Sequence, residues 1–195
     1  EFDAILKSYR KLPEEIFHVI KLVKDSHPMD ALRTAVSALA SYDEDRNDNS
    51  VEATIRKGIR LTSQVATIVM AHHNIRHGND PIEPSEKLNH AGNFLYMLNG
   101  DIPDQDTVDL MDKDFVLHAD HGSNASAFTA RVVAGTSADI HGAVTAGIAA
   151  LSGPSHGGAA ENVMQMAKDI GKPENAENYV KNLLSNRERV MGFGH

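Results

Sequence analysis

No stretch of this sequence alternates polar and β-branched apolar residues over the roughly four to eight positions that a half-buried strand needs. Aromatic residues, which favour pleated surfaces, make up only 5% of the 195 positions. Apolar residues recur instead at helical spacing, and at 41% of the chain they are numerous enough to build a core. The expected fold is therefore all-α, with helices packed on helices.

Proline, glycine and small polar residues divide the chain. Pro13 and Pro28 stand where a first helical turn takes them, ahead of E-E-I-F-H-V-I and M-D-A-L-R-T-A-V-S-A-L-A. The polar segment S-Y-D-E-D-R-N-D-N-S (Ser41 to Ser50) reads as a loop, and Ser50 as the cap of the longest helix, Val51 to Arg76. Leu61, Val65, Ile68, Val69 and His72 share one face of that helix. Ser85 is expected to cap a helix with Leu88, Ala91, Leu95 and Leu98 on one stripe, closed by Gly100. A helix from Asp104 to about His118 aligns Val108, Met111, Phe115 and His118. Asn124 to Leu151 is crowded with Ala, Gly, Ser and Thr, and reads as two helices broken near Ser137–Asp139. Small residues let helix axes approach closely, so this pair is expected to be buried and suited to a subunit interface. Helices near Gly158–Asp169 and Glu174–Asn186 follow.

Composition excludes several function classes. There is no cysteine, hence no disulfide, thiolate metal site or cysteine nucleophile. A formal charge of −8 without a basic block argues against nucleic acid. No run of about 18 apolar residues suggests a membrane span, and the N-terminal E-F-D-A-I-L-K-S-Y-R lacks the pattern of a signal peptide. A cytoplasmic location is expected. The chain begins on Glu1 and stops on His195 inside a motif, so both ends read as cut.

Chemistry gathers at three glycine-flanked histidines: His121 in H-A-D-H-G-S-N-A-S, His156 in G-P-S-H-G-G and His195 in G-F-G-H. Histidines at separate turns suit a site in which imidazoles donate hydrogen bonds to carbonyl oxygens that gain charge, as enol formation requires. Gly157 and Gly158 open a helix after His156, and the positive end of its dipole disfavours a protonated ring there. The Gly192-Phe193-Gly194 turn lets main chain approach a flat ligand. His118 and His121, three apart, allow a metal on one helical face, but no third ligand matches. His118 also lies on its helix's apolar stripe, which favours a hydrogen-bonded core histidine. His72, His73, His90 and His141 read as structural, and Asp120 as a turn partner.

Together with H-P-M-D-A-L-R-T-A-V-S-A-L (His27 to Leu39), L-N-H-A-G-N-F-L-Y-M-L-N-G (Leu88 to Gly100) and A-S-A-F-T-A-R-V-V-A-G-T (Ala125 to Thr136), these motifs resemble citrate synthases, in the shorter bacterial and archaeal form. The resemblance covers essentially the whole chain. It implies a mostly helical homodimer whose subunit has a large helical domain and a smaller one that closes over the substrates. Residues 1–154 would belong to the large domain and 155–195 to the start of the small one. Dimer contacts would come from helices near His27–Ala40, Val51–Arg76, Ala125–Thr136 and Ile140–Leu151. The implied reaction condenses acetyl-CoA with oxaloacetate and water to citrate and CoA, with no cofactor and no metal.

The resemblance also implies roles. His121 matches the histidine that binds oxaloacetate, and His156 the one that stabilises the enol of acetyl-CoA. Ser126 matches the serine that orients His156, and Asn124 lies in the same turn. His195 matches the histidine that polarises the oxaloacetate carbonyl and protonates its oxygen. Val190, Met191, Gly192, Phe193 and Gly194 resemble the loop that holds the CoA adenine. The family's catalytic aspartate and carboxylate-binding arginines fall beyond His195, so the chain reads as an excerpt, inactive by itself. Three other readings remain: a 2-methylcitrate synthase acting on propionyl-CoA, a non-catalytic helical binding or assembly module, and a metal-dependent hydrolase built on His118 and His121.

Overall fold

The computed structural model describes residues 1–120 and 122–193. Among them every regular element is helical. The helices are α1 (Phe2–Ser8), α2 (Glu14–Leu22), α3 (Pro28–Leu39), α4 (Val51–Arg76), α5 (His90–Asn99), α6 (Gln105–His118), α7 (Ala125–Ala134), α8 (Ile140–Leu151), α9 (Gly157–Ile170) and α10 (Ala176–Ser185). Short 3-10 turns at Ala40–Tyr42 and Pro173–Asn175 complete them. The all-α expectation holds. The chain divides into two compact units, Glu1–Ala149 and Ala150–His195.

The first unit is organised by α4. Ser50 Oγ accepts a hydrogen bond from the Ala53 amide and starts the helix. Ile16 and Ile20 of α2, Val36 and Leu39 of α3, Leu61 and Ile68 of α4, and Ile148 of α8 form one buried cluster. Removing one such side chain to alanine typically costs about 2–5 kcal/mol. Three side chains of α4 also stitch down α1 and the segment after it. Ser63 Oγ donates to the Leu6 carbonyl (2.5 Å), Thr67 Oγ1 to that of Arg10 (2.8 Å) and Gln64 Nε2 to that of Lys11 (3.3 Å).

Several expected details differ. Helix α5 starts at His90, because Asn89 Oδ1 takes the Gly92 amide and is the cap. Ser85 instead closes the preceding loop, donating its amide to Asn93 Oδ1 at 2.7 Å. The buried face of α5 is accordingly Ala91, Gly92, Asn93 and Met97, while Leu98 is exposed. On α6 only Val108 is buried. His118 is a surface residue with 76% of its side chain exposed, its Nδ1 2.8 Å from the Asp114 carbonyl oxygen. Among the described residues, the apolar stripe that suggests a core position has no cover at that end of the helix. Helix α7 has no buried residue, and Phe128 and Val132 are exposed. Its small residues permit close packing, and α8 approaches it closely at Gly147.

Candidate active site

The turn before α7 is built by local polar side chains. Asp120 Oδ1 accepts the Gly122 amide at 3.1 Å, as its turn role predicts, and Gly122 has a φ of +57°. Asn124 Oδ1 accepts the Ala127 amide at 2.8 Å and caps α7. Asn124 is thus a helix cap, which fixes the direction in which the turn's backbone enters α7. Ser126, half-buried, lies in the first turn of that helix. Its carbonyl oxygen would be 3.3 Å from a Cβ on Gly147, so α7 and α8 cross where α8 carries no side chain. His121 lies outside the described residues.

A polar joint holds the α7–α8 connection from the other side. Asn49 Nδ2 donates to the Ser137 carbonyl at 2.8 Å, and Ser137 takes the left-handed conformation with φ +65°. Asp139 Oδ1 accepts the amides of His141 (2.9 Å) and Gly142 (3.1 Å), starting α8. The His141 ring is fully buried, with Nε2 3.6 Å from Asp43 and Nδ1 3.6 Å from Asp139. Burial pushes its pKa down against the pull of both carboxylates. Asp43 in turn receives two hydrogen bonds from Arg60, at 2.6 and 2.9 Å. Hydrogen bonds from Arg56 and Arg60 hold the Asp45 carboxyl well below its usual range. Lys57, also fully buried, donates to the Asp48 carbonyl (2.6 Å) and Asn49 Oδ1 (3.3 Å). Sequence reading treated His141 as structural but missed this assembly. Its signal, five acids and four bases from Asp43 to Arg60, looked like an ordinary solvated loop and helix face.

In the second unit α8 ends at Leu151, and a tight turn leads to His156. The amides of His156 and Gly158 both donate to the Gly153 carbonyl, at 3.0 and 3.2 Å. His156 is the N-cap residue of α9, yet its side chain makes no capping bond to the helix. A Cβ on Gly157 would fall far inside van der Waals contact of the Leu151 carbonyl oxygen, so this position requires glycine. Half-buried His156 thus stands at the positive end of a 14-residue helix.

The segment after α10 brings Val190 and Met191 to half-buried positions and leaves Phe193 exposed. Gly192 has φ +88°, and a Cβ there would stand 3.1 Å from Val163 Cγ2 of α9. The loop is therefore laid against α9 through a residue that must be glycine. Gly194 and His195 lie outside the described residues. A cavity of about 550 Å³ between α3 and α4, lined by Met29, Leu32, Ile68, His72, His73 and Arg76 among others, contains none of the expected site residues. Among the described residues no group of three or more acidic or histidine side chains could hold a metal ion.

Comparison with known proteins decides the family. The family profile described as citrate synthase, C-terminal domain, matches residues 1–195. The chain belongs to the citrate synthase family. It is 47% identical over 186 residues to citrate synthase 2 of Bacillus subtilis, covering 94% of this chain and 50% of that protein. It is 43% identical over 175 residues to a 2-methylcitrate synthase of Mycobacterium tuberculosis, covering 90% and 44%. The citrate synthase crystal structure from Pyrobaculum aerophilum superposes with a TM-score of 0.91 at 36% identity, over 100% of this chain and 51% of that one. The chain thus spans about half the length of these citrate synthase relatives.

Proposed function

We propose that the protein carrying this chain condenses acetyl-CoA with oxaloacetate and water to give citrate and free CoA. The observation that carries this reading is the His156 turn: a family motif in which an obligatory glycine sets an imidazole at the head of α9. A thioester methyl proton is weakly acidic, and its removal is eased by a fixed donor at the oxygen that gains charge. His156 supplies that N–H to the thioester oxygen while a carboxylate base takes the proton. The enol carbon then attacks the oxaloacetate carbonyl carbon, and His195 delivers a proton to the resulting alkoxide. Water cleaves the citryl thioester, releasing citrate and CoA. His121 binds oxaloacetate, Ser126 in the helix that Asn124 caps serves to orient His156, and Val190 to Gly194 carry the CoA adenine. In this reading residues 1–154 belong to a large domain, residues 155–195 begin a small one, and two subunits pair through α3, α4, α7 and α8. The reaction runs without a metal or other cofactor. A cytoplasmic location accords with the absence, among the described residues, of a helix long and apolar enough to cross a membrane.

The test is CoA release by the full-length protein with oxaloacetate. His156→Ala is expected to lower kcat by about 10²–10³-fold with little change in the KM for oxaloacetate, whereas His121→Ala raises that KM. Unchanged kinetics in both variants would overturn the assignment, and a wild-type protein without turnover would favour the binding or assembly module. The identity to a 2-methylcitrate synthase supports a second reading, in which propionyl-CoA is the thioester. One methylene is worth about 1–3 kcal/mol, so the ratio of kcat/KM for the two thioesters separates the readings.

A further inference from the structure

Arg10 follows α1 in the short link to α2 and is 2% exposed. Its backbone is pinned by Thr67, and one guanidinium nitrogen, Nη1, donates to the Ser85 carbonyl. Its other two nitrogens, Nε and Nη2, have no hydrogen-bond partner among the described residues. No carboxylate lies within ion-pair distance of it among those residues. Asp3, the acid that acts on it through space, is already bonded to Lys7 at 2.7 Å. A second unpartnered buried nitrogen is Nδ1 of His90, a ring on which the Arg10 charge acts through space. Arg10 repels the protonated form of that ring, while Asp112 and Asp3 oppose this only at a distance. The ring leans on Phe115 of α6, with centroids 5.5 Å apart, and His90 is the first residue of α5.

A guanidinium does not shed its proton in the working pH range, so Arg10 is a cation in a nearly closed place. Three buried N–H or nitrogen positions without partners are costly. A water molecule would satisfy hydrogen bonds there but leave the charge uncompensated. A small anion does both, and it is further favoured by the positive end of α5. We propose that Arg10 and His90 form a site for one small monovalent anion of halide size, which fastens the link after α1 to the start of α5.

Crystals of the full-length protein grown in bromide test this directly. The expected result is an anomalous bromine peak within hydrogen-bond reach of Arg10 Nε or Nη2. A water, or a carboxylate from elsewhere in the protein, in that place overturns the proposal. In solution, the wild-type Tm is expected to be about 2–4 °C higher in chloride than in gluconate of equal ionic strength. Arg10→Met is expected to abolish the difference. Equal anion responses of wild type and variant overturn the proposal, and the diffraction experiment stands even if the variant does not fold.

Discussion

A methyl group on Gly157 would press into the Leu151 carbonyl oxygen, and the turn would have to open to admit it. Gly157→Ala in the full-length protein is therefore expected to cost about 1–3 kcal/mol of stability and to reduce kcat more than the KM for oxaloacetate, because His156 is carried by the same turn. Thermal unfolding and steady-state kinetics check the two parts. Arg60 is a second residue where one side chain decides much. It bonds Asp43, whose side chain is 3% exposed, and Asp45 at 2.6 Å. Arg60→Met leaves Asp43 buried without its cation, and a loss of about 3–5 kcal/mol is expected. If instead urea denaturation shows a loss below 1 kcal/mol (about a fivefold change in the unfolding constant), the joint does not bear on stability.

Among the elements, α7 is held at its start by a cap and at its crossing by a missing side chain. Asn124→Ala removes the acceptor for the Ala127 amide and is expected to cost about 0.5–2 kcal/mol. Gly147→Ala places a Cβ 3.3 Å from the Ser126 carbonyl oxygen, a backbone atom with little freedom to move. Loss of oxaloacetate affinity in Gly147→Ala, measured by calorimetry, is expected if α7 positions the binding turn. Helix existence was legible throughout the sequence. The bounds of α4 follow from Ser50 and the polar loop before it, and residues 51–76 were read correctly. The start of α5 was misread because Ser85 and Asn89 are both competent caps, and only the tertiary bond from the Ser85 amide to Asn93 decides between them. Burial was the poorest inference. Helix α6 shows apolar spacing and α7 a run of small residues, yet what covers a face is a property of the neighbours, which neither pattern contains. Around the candidate site, the need for glycine at the turns of His156 and Gly192 is legible in the sequence, whereas the partners of His141 come from segments nearly a hundred positions apart.

At the scale of the whole molecule, acid should act through buried imidazoles. Burial lowers the pKa of His72, His90 and His141 from the ordinary 6.5. As pH falls, the unfolded chain takes up these protons first, so folding binds fewer protons and stability declines. Stability is therefore expected to be full above about pH 6.5 and to fall below it, until the folded-state rings themselves protonate. The slope is up to about 1.4 kcal/mol per pH unit for each ring. A Tm series from pH 7.5 to 5 on the full-length protein checks this, and His141→Gln should flatten the curve. The joint between residues 43–50 and α4 also sets how the fold answers to warming, since it is made of charges where the core beside it is made of methyl groups. The penalty for stripping water from ions shrinks as temperature rises, whereas the gain per unit of apolar area levels off. On heating, the first parts to loosen should thus be the greasy contacts of α2 and α3, with the ionic clasp on α4 among the last to let go.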